Sequence, residues 1–303
     1  MADLIAIGEP LFELNQAHDG APFAPGYGGD TSNAMIAAAR SGAATGYFTA
    51  VGADRFGRSL VELWRAEGVD ASRVMVNGGA HTGIYFVTHG PEGHEFSYLR
   101  AGSAASRITE ADIPADYIGA ARMLHVSGIS QAISSSAADA IFAAIDIARR
   151  AKVLVSYDTN LRLKLWPLTR AKAVIHEAMK SVDIALPGLD DARKLTGLDQ
   201  PDAIVDFYLK LGAKIVALTL GNPKVIVFFL SIMPLVVDLD AINARTALEV
   251  AATMIVVLSS VLLTYAIAAN RARKLFRSSR AMKMINRGAA GIVAGAALAI
   301  AAR

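Results

Sequence analysis

Apolar residues in the first two thirds of the chain fall into short runs separated by amphipathic stretches. The short runs predict strands at Leu4–Gly8, Tyr47–Val51, Met123–Ser127, Val153–Tyr157, Ile184–Leu186 and Ile215–Leu220. The longer stretches, apolar at every third or fourth position, predict helices over Ser32–Arg40, Arg58–Ala66, Ser135–Arg150, Leu168–Lys180, Asp190–Leu195 and Asp202–Leu211. Strand followed by helix, repeated, implies an α/β fold with a mostly parallel sheet covered on both faces. Two stretches break the pattern. PLFELNQ and TGIYFVTHGPEGHEFSYLR alternate locally, and the second turns at Gly90–Gly93. They predict a small antiparallel lid.

Beyond Gly221 the pattern changes. Val225–Val237, Val250–Ala269 and Gly288–Ala302 carry no charge. The middle run, 20 residues long, would span about 30 Å as a helix, enough to cross a bilayer. The other two are short, and each alone reads better as a buried helix. Three in succession, with basic residues concentrated between the last two, favour an all-α membrane segment of about three helices. Asn222 and Pro223 suit the start of the first span, as cap and first-turn residue.

Charge follows the same division. Of 30 Lys and Arg, 20 precede Asn222, against 24 of the 27 Asp and Glu. The first part is therefore acidic and the tail basic, and the pI near 9.1 belongs to the tail. Basic residues are not interleaved with stacking aromatics, so nucleic acid is not an expected partner. There is no cysteine, which excludes disulfides, thiol catalysis and Cys-based zinc sites. The start, MADLIAIGEP, lacks the basic residues and long apolar run of an export signal, so residues 1–221 are expected in the cytoplasm. Seven Lys and Arg with no acid lie from Arg271 to Arg287, which places that loop inside. Asp238 and Asp240 then fall outside, as does the C-terminus. The expected location is the inner or plasma membrane.

Several polar stretches sit where an α/β sheet binds ligands, beyond the carboxyl ends of strands. GYGGDTSN (Gly26–Asn33) opens a helix and lets a ligand approach backbone amides, or is a plain turn. VGADRFG (Val51–Gly57) reads equally as a capped helix entry. SYDTNLR (Ser156–Arg162) follows a buried strand and places Asp158, Asn160 and Arg162 for polar recognition. Arg100 ends the lid hairpin. It can hold a carboxylate by two parallel hydrogen bonds, or be an ordinary surface charge.

Together these stretches resemble the PfkB (ribokinase-like) sugar kinases, most closely the 2-keto-3-deoxygluconate kinases, over about residues 1–221. The matching text is IAIGEPLFELN, GYGGDTSNAMIAAARSGA, VGADRFGRSLVELWRAEGVD, TGIYFV, FSYLRAGSAASR and YDTNLRLKLW. The resemblance implies a sugar-acid site under a β lid. Gly29 and Asn33 would hold hydroxyls, Tyr85, Tyr98 and Arg100 would come from the lid, and Arg162 would reach the substrate. It implies ATP and Mg2+ as cofactors, with Asn160 and Arg162 near the nucleotide phosphates. Many members carry Asn-x-x-Glu to organise magnesium. Gly188 and Asp191 stand there in this chain, which keeps a carboxylate and loses the amide. No residue is named as a direct metal ligand.

The family pattern stops at Gly221. A Gly-Ala-Gly-Asp segment should follow, whose Asp accepts the proton of the attacking hydroxyl. After Gly221 the acids are Asp238, Asp240 and Glu249, and none follows a glycine turn. The expected sheet is thus incomplete and no catalytic residue is assigned. GNPKVIVFFLSIMPLVVD, the long apolar span, the basic loop and INRGAAGIVAGAALAIAAR resemble the second half of LysE/RhtB-type amino-acid exporters, over about residues 222–303. Gly221 reads as a seam between a truncated kinase domain and a truncated transmembrane segment, as a join of two reading frames would leave. The expected partners are a sugar acid, the lipid bilayer and a further copy of the chain, packed through the small residues of Gly288–Ala302. The alternative function is a membrane protein keeping half of an exporter.

Overall fold

The structure, a computed structural model, describes residues 2–219 apart from 91 and 92. The three uncharged runs, the exporter-like segment and the seam lie outside the described residues. In chain order the elements begin with β1 (Leu4–Ile7), β2 (Leu11–Gln16), β3 (Phe23–Gly28), α1 (Asp30–Arg40), β4 (Thr45–Phe48), β5 (Ala50–Gly52) and α2 (Arg55–Ala66). Next come β6 (Met75–Asn77), β7 (Ile84–Gly90), β8 (Gly93–Leu99), α3 (Ala115–Gly119), β9 (Met123–Ser127), α4 (Gly128–Ala132) and α5 (Ser135–Arg150). The last are β10 (Leu154–Asp158), α6 (Leu168–Met179), β11 (Ile184–Leu186), α7 (Leu189–Thr196), α8 (Pro201–Leu211) and β12 (Ile215–Val216). Among the described residues no helix is long and apolar enough to cross a membrane.

The main sheet runs β12-β11-β10-β9-β1-β4, and every ladder in it is parallel. Side chains alternate across each strand, so β1 feeds two cores. Leu4 and Ala6 pack with Met35, Leu60 and Trp64 of α1 and α2. Ile5 and Ile7 face the opposite side, in a core that includes Ile141 and Ile145 of α5 and Ile175 of α6. Burial on both faces explains why these strands read as continuous apolar runs. The helix α5 is rich in alanine, and its Ala140, Ala144 and Ala148 are buried, so the helix can lie close to the sheet. Ser134 caps it by accepting from the Ala137 amide at 3.0 Å.

The lid is a four-stranded sheet in the order β3-β2-β7-β8. The sequence predicts an antiparallel lid, and two of its three ladders are antiparallel. The third, β2 with β7, is parallel. A hairpin would force an antiparallel pair, but the chain from β2 to β7 passes through α1, α2 and part of the main sheet. That long crossover leaves the direction free. A second correction concerns Gly26–Gly28. These residues belong to β3, an edge strand pairing with β2, and the predicted turn shrinks to Gly29. The VGADRFG stretch is a capped helix entry. Asp54 accepts from the Gly57 amide at 2.8 Å and also from the amide and hydroxyl of Thr82. Thr82 stands just before β7, so this cap ties the root of the lid to α2. Burial tends to raise the Asp54 pKa, but the hydrogen bonds from Thr82 and Gly57 prevail and hold it below the usual value.

Candidate functional site

A cavity of about 870 Å³ opens between the lid and the carboxyl ends of the main strands. Eight of the residues singled out from the sequence line it: Gly29, Asn33, Tyr85, Tyr98, Arg100, Asn160, Arg162 and Asp191. Asp158, expected to serve polar recognition, does not line it and is buried. The eight come from four regions of the chain, and three local devices hold them.

The first is the start of α1. Gly29 caps it with φ +116°, a conformation that favours glycine, and a Cβ there would lie 2.8 Å from the Glu9 carbonyl oxygen. The next two residues are anchored from below. Thr31 Oγ1 and Tyr47 Oη hydrogen-bond at 3.0 Å, and Trp64 Nε1 donates to Ser32 Oγ at 2.8 Å. Tyr47 and Trp64 are fully buried and meet edge to face. Asn33 is therefore presented to the cavity from a fixed turn.

The second is the lid. Leu11, Gly28, Tyr85, Phe96 and Tyr98 share one face of it, because side chains alternate along each strand. The opposite face carries Phe12, which packs on Phe56 of α2. Arg100 follows β8, and its guanidinium lies 5.5 Å from the Tyr98 ring centre. Arg100 also donates to Glu9 Oε2. Burial raises the Glu9 pKa, with the Arg100 charge and hydrogen bond acting against it. Arg100 Nε is buried and has no partner among the described residues. The guanidinium is thus oriented but not saturated.

The third is the loop after β10. Asp158 accepts from the Asn160 amide at 3.0 Å, which folds the loop back on itself. Burial and then the neighbouring Asp30 carboxylate push the Asp158 pKa well up. Asn160 has φ +28°, which asparagine tolerates better than most residues. Asp191 of α7 accepts from the Leu161 amide at 2.9 Å and so ties α7 to this loop. Burial raises the Asp191 pKa, opposed by that hydrogen bond and then by the Arg162 charge. Arg162 is exposed at the cavity wall.

Asn160 Oδ1 is buried without a partner among the described residues. An orphaned acceptor beside Arg162 and one carboxylate suits a hydrated cation and phosphate oxygens. These residues therefore fit the phosphate end of a magnesium nucleotide. Among the described residues no group of three or more His, Asp or Glu gathers to hold a metal by itself.

Sequence reasoning missed four charged residues of the cavity: Glu9, Asp30, Lys164 and Lys194. Glu9 carries a signal. It is an acid placed between Gly8 and Pro10 directly after a buried strand, and its carboxylate serves Arg100 from below. Lys164 and Lys194 look in the sequence like any exposed lysine.

Comparison with known proteins agrees with this geometry. The family model of pfkB family carbohydrate kinases matches residues 1–229. A model of LysE type translocators matches residues 191–303, so the two matches overlap around Gly221. The chain is 37% identical over 239 residues to a 2-dehydro-3-deoxygluconokinase of Thermoproteus tenax, covering 76% of this chain and 72% of that one. It is 35% identical over 229 residues to the enzyme of the same name from Bacillus subtilis, covering 73% and 70%. A solved structure of a PfkB protein from Polaromonas sp. JS666 superposes with a TM-score of 0.69 at 34% identity, covering 72% of this chain and 77% of that one.

Proposed function

We propose, from the premise that this chain belongs to the PfkB family of carbohydrate kinases, that its lid cavity binds a sugar acid of the 2-keto-3-deoxygluconate type. We propose further that the chain by itself transfers phosphate negligibly. The observation that carries the first part is the presence of Arg100 and Arg162 in one cavity. Two guanidinium groups suit a carboxylate, and the polar residues beside them suit hydroxyls. Gly29 and Asn33 would take hydroxyls, and Tyr85 and Tyr98 would close over the ligand. The relatives from Thermoproteus and Bacillus, named for 2-dehydro-3-deoxygluconate (the same sugar acid), support this choice.

ATP with Mg2+ is the donor that the family implies, and when bound it supplies the phosphoryl group. Asn160, Arg162 and Asp191 would hold its phosphate end. Phosphoryl transfer also needs a base at the attacking hydroxyl and donors around the developing charge. The family draws both from a Gly-Ala-Gly-Asp segment, which does not occur in these 303 residues. A coupled assay on the purified full chain with 2-keto-3-deoxygluconate, ATP and Mg2+ tests this. Negligible turnover is expected, and turnover at an ordinary enzyme rate overturns it.

The translocator match favours a second reading for the remainder of the chain. We propose that residues 222–303 form a membrane segment, with residues 1–221 cytoplasmic and the C-terminus outside. Export by one chain is not expected, because the resemblance covers only the second half of an exporter. Partner helices would come from further copies of the chain. Extraction of the protein from membranes by alkaline carbonate overturns the spanning model, and retention supports it.

A further inference from the structure

We propose that Glu13 is a positioning residue for Tyr85, and that it makes Tyr85 an acceptor, not a donor, toward the ligand. The inference rests on the sugar-acid reading of the cavity and goes beyond it by assigning a polarity to one of its walls.

Gly26, Glu13, Tyr85 and Tyr98 are register partners across the four lid strands, so they form one row on the cavity face. Within this row the Tyr85 hydroxyl donates to Glu13 Oε2. Glu13 Oε1 accepts from Asn15 Nδ2 at 3.1 Å. Both oxygens of the carboxylate are thus engaged, and its orientation is fixed. The Tyr85 ring is fixed as well. It stacks against Tyr98 with centres 6.0 Å apart and planes 23° apart. It also lies close against Gly28, where an added Cβ would come within 2.7 Å of Tyr85 Cε1. Tyr85 lines the cavity and Glu13 does not, so Glu13 acts through Tyr85.

A phenol has one proton to give. At Tyr85 that proton goes to Glu13, which leaves the hydroxyl oxygen with acceptor capacity alone. A carboxylate, carbonyl or phosphate oxygen placed there would face lone pair to lone pair. A ligand hydroxyl would complete the bond. The cations Arg100 and Arg162 stand elsewhere on the cavity wall. A hydroxy acid is therefore held one way round, with its carboxylate at the arginines and a hydroxyl at Tyr85.

The test is a double-mutant cycle on the full chain, read by calorimetric titration with 2-keto-3-deoxygluconate. The variants are Glu13→Gln, Tyr85→Phe and both together. Glutamine can donate an N–H to the phenol oxygen and so reverses the bond. Each single variant is expected to weaken binding about tenfold, and the double variant no further than Tyr85→Phe alone. Additive losses, or a Glu13→Gln variant that binds like the wild type, overturn the proposal. Fluorine NMR of the chain labelled with 3-fluorotyrosine supplies a reading that needs no ligand. The Tyr85 resonance, identified by its loss in Tyr85→Phe, should move in Glu13→Gln; a resonance that stays in place overturns the pairing. A wild-type chain that binds no sugar acid overturns the reading of the cavity instead, and the fluorine shift then still supports the pairing of Glu13 with Tyr85.

Discussion

Arg100 donates to Glu9, and both side chains are withdrawn from solvent, at 11% and 3% exposure. The pair lines the cavity. Breaking a buried ion pair leaves an uncompensated charge and costs about 3–5 kcal/mol. The two ways of breaking it differ. Glu9 can take up a proton, because burial already raises its pKa above 4.5. Arg100 has no such escape.

The variant Arg100→Met is therefore expected to lose stability in a pH-dependent way. Without the guanidinium, burial raises the Glu9 pKa further. A carboxyl whose folded pKa lies above its unfolded value binds more protons in the folded state. Stability then rises as pH falls through the folded value. The gap between variant and wild type should be widest at neutral pH and should shrink as pH falls toward 4.5, the unfolded reference. Tryptophan fluorescence in urea reads this cleanly, because the two tryptophans, Trp64 and Trp166, both lie in the buried core. A gap independent of pH contradicts the account of Glu9.

Gly28→Ala should separate binding from folding. The new methyl group would come within 2.7 Å of Tyr85 Cε1 and 2.8 Å of its hydroxyl oxygen. Tyr85 must then leave its seat. Sugar-acid affinity is expected to fall about tenfold, roughly 1.4 kcal/mol, while the urea midpoint moves little, since β3 is an edge strand of the lid. Calorimetry beside the fluorescence midpoint checks both halves.

Asp191 has two separable roles, one in shape and one in charge. Asp191→Ala removes the acceptor of the Leu161 amide and should lower stability by about 1–2 kcal/mol. Asp191→Asn keeps an oxygen acceptor and removes the charge. It should unfold like the wild type and bind magnesium nucleotide more weakly. Equal unfolding midpoints for the two variants would show that the tie to the loop after β10 does not matter.

Much of the scaffold was legible in the sequence for a definite reason. Met123–Ser127, Ile184–Leu186 and Ser135–Arg150 agree with the structure to the residue. The two strands are short, mostly apolar runs with nearly every residue buried, and the helix starts at a serine cap. β3 was not legible. Its sequence, FAPGYG, holds a proline and two glycines, and it is a strand because β2 offers it an edge. The direction of β2 against β7 was hidden because the pairing joins residues about seventy apart, as in Phe12 with Ile84. The expected site residues converge because most lie at the ends of strands or on one lid face. Glu9, Asp30, Lys164 and Lys194 escaped because a charge, in a turn or on a helix, does not announce which way it points.

The measurement that bears most directly on the central claim is calorimetric titration of the full chain with 2-keto-3-deoxygluconate and, in parallel, fructose. The account predicts that the sugar acid binds at least about tenfold tighter and loses that advantage in Arg162→Ala. Equal affinity for the two sugars, or no heat from the acid, would contradict it.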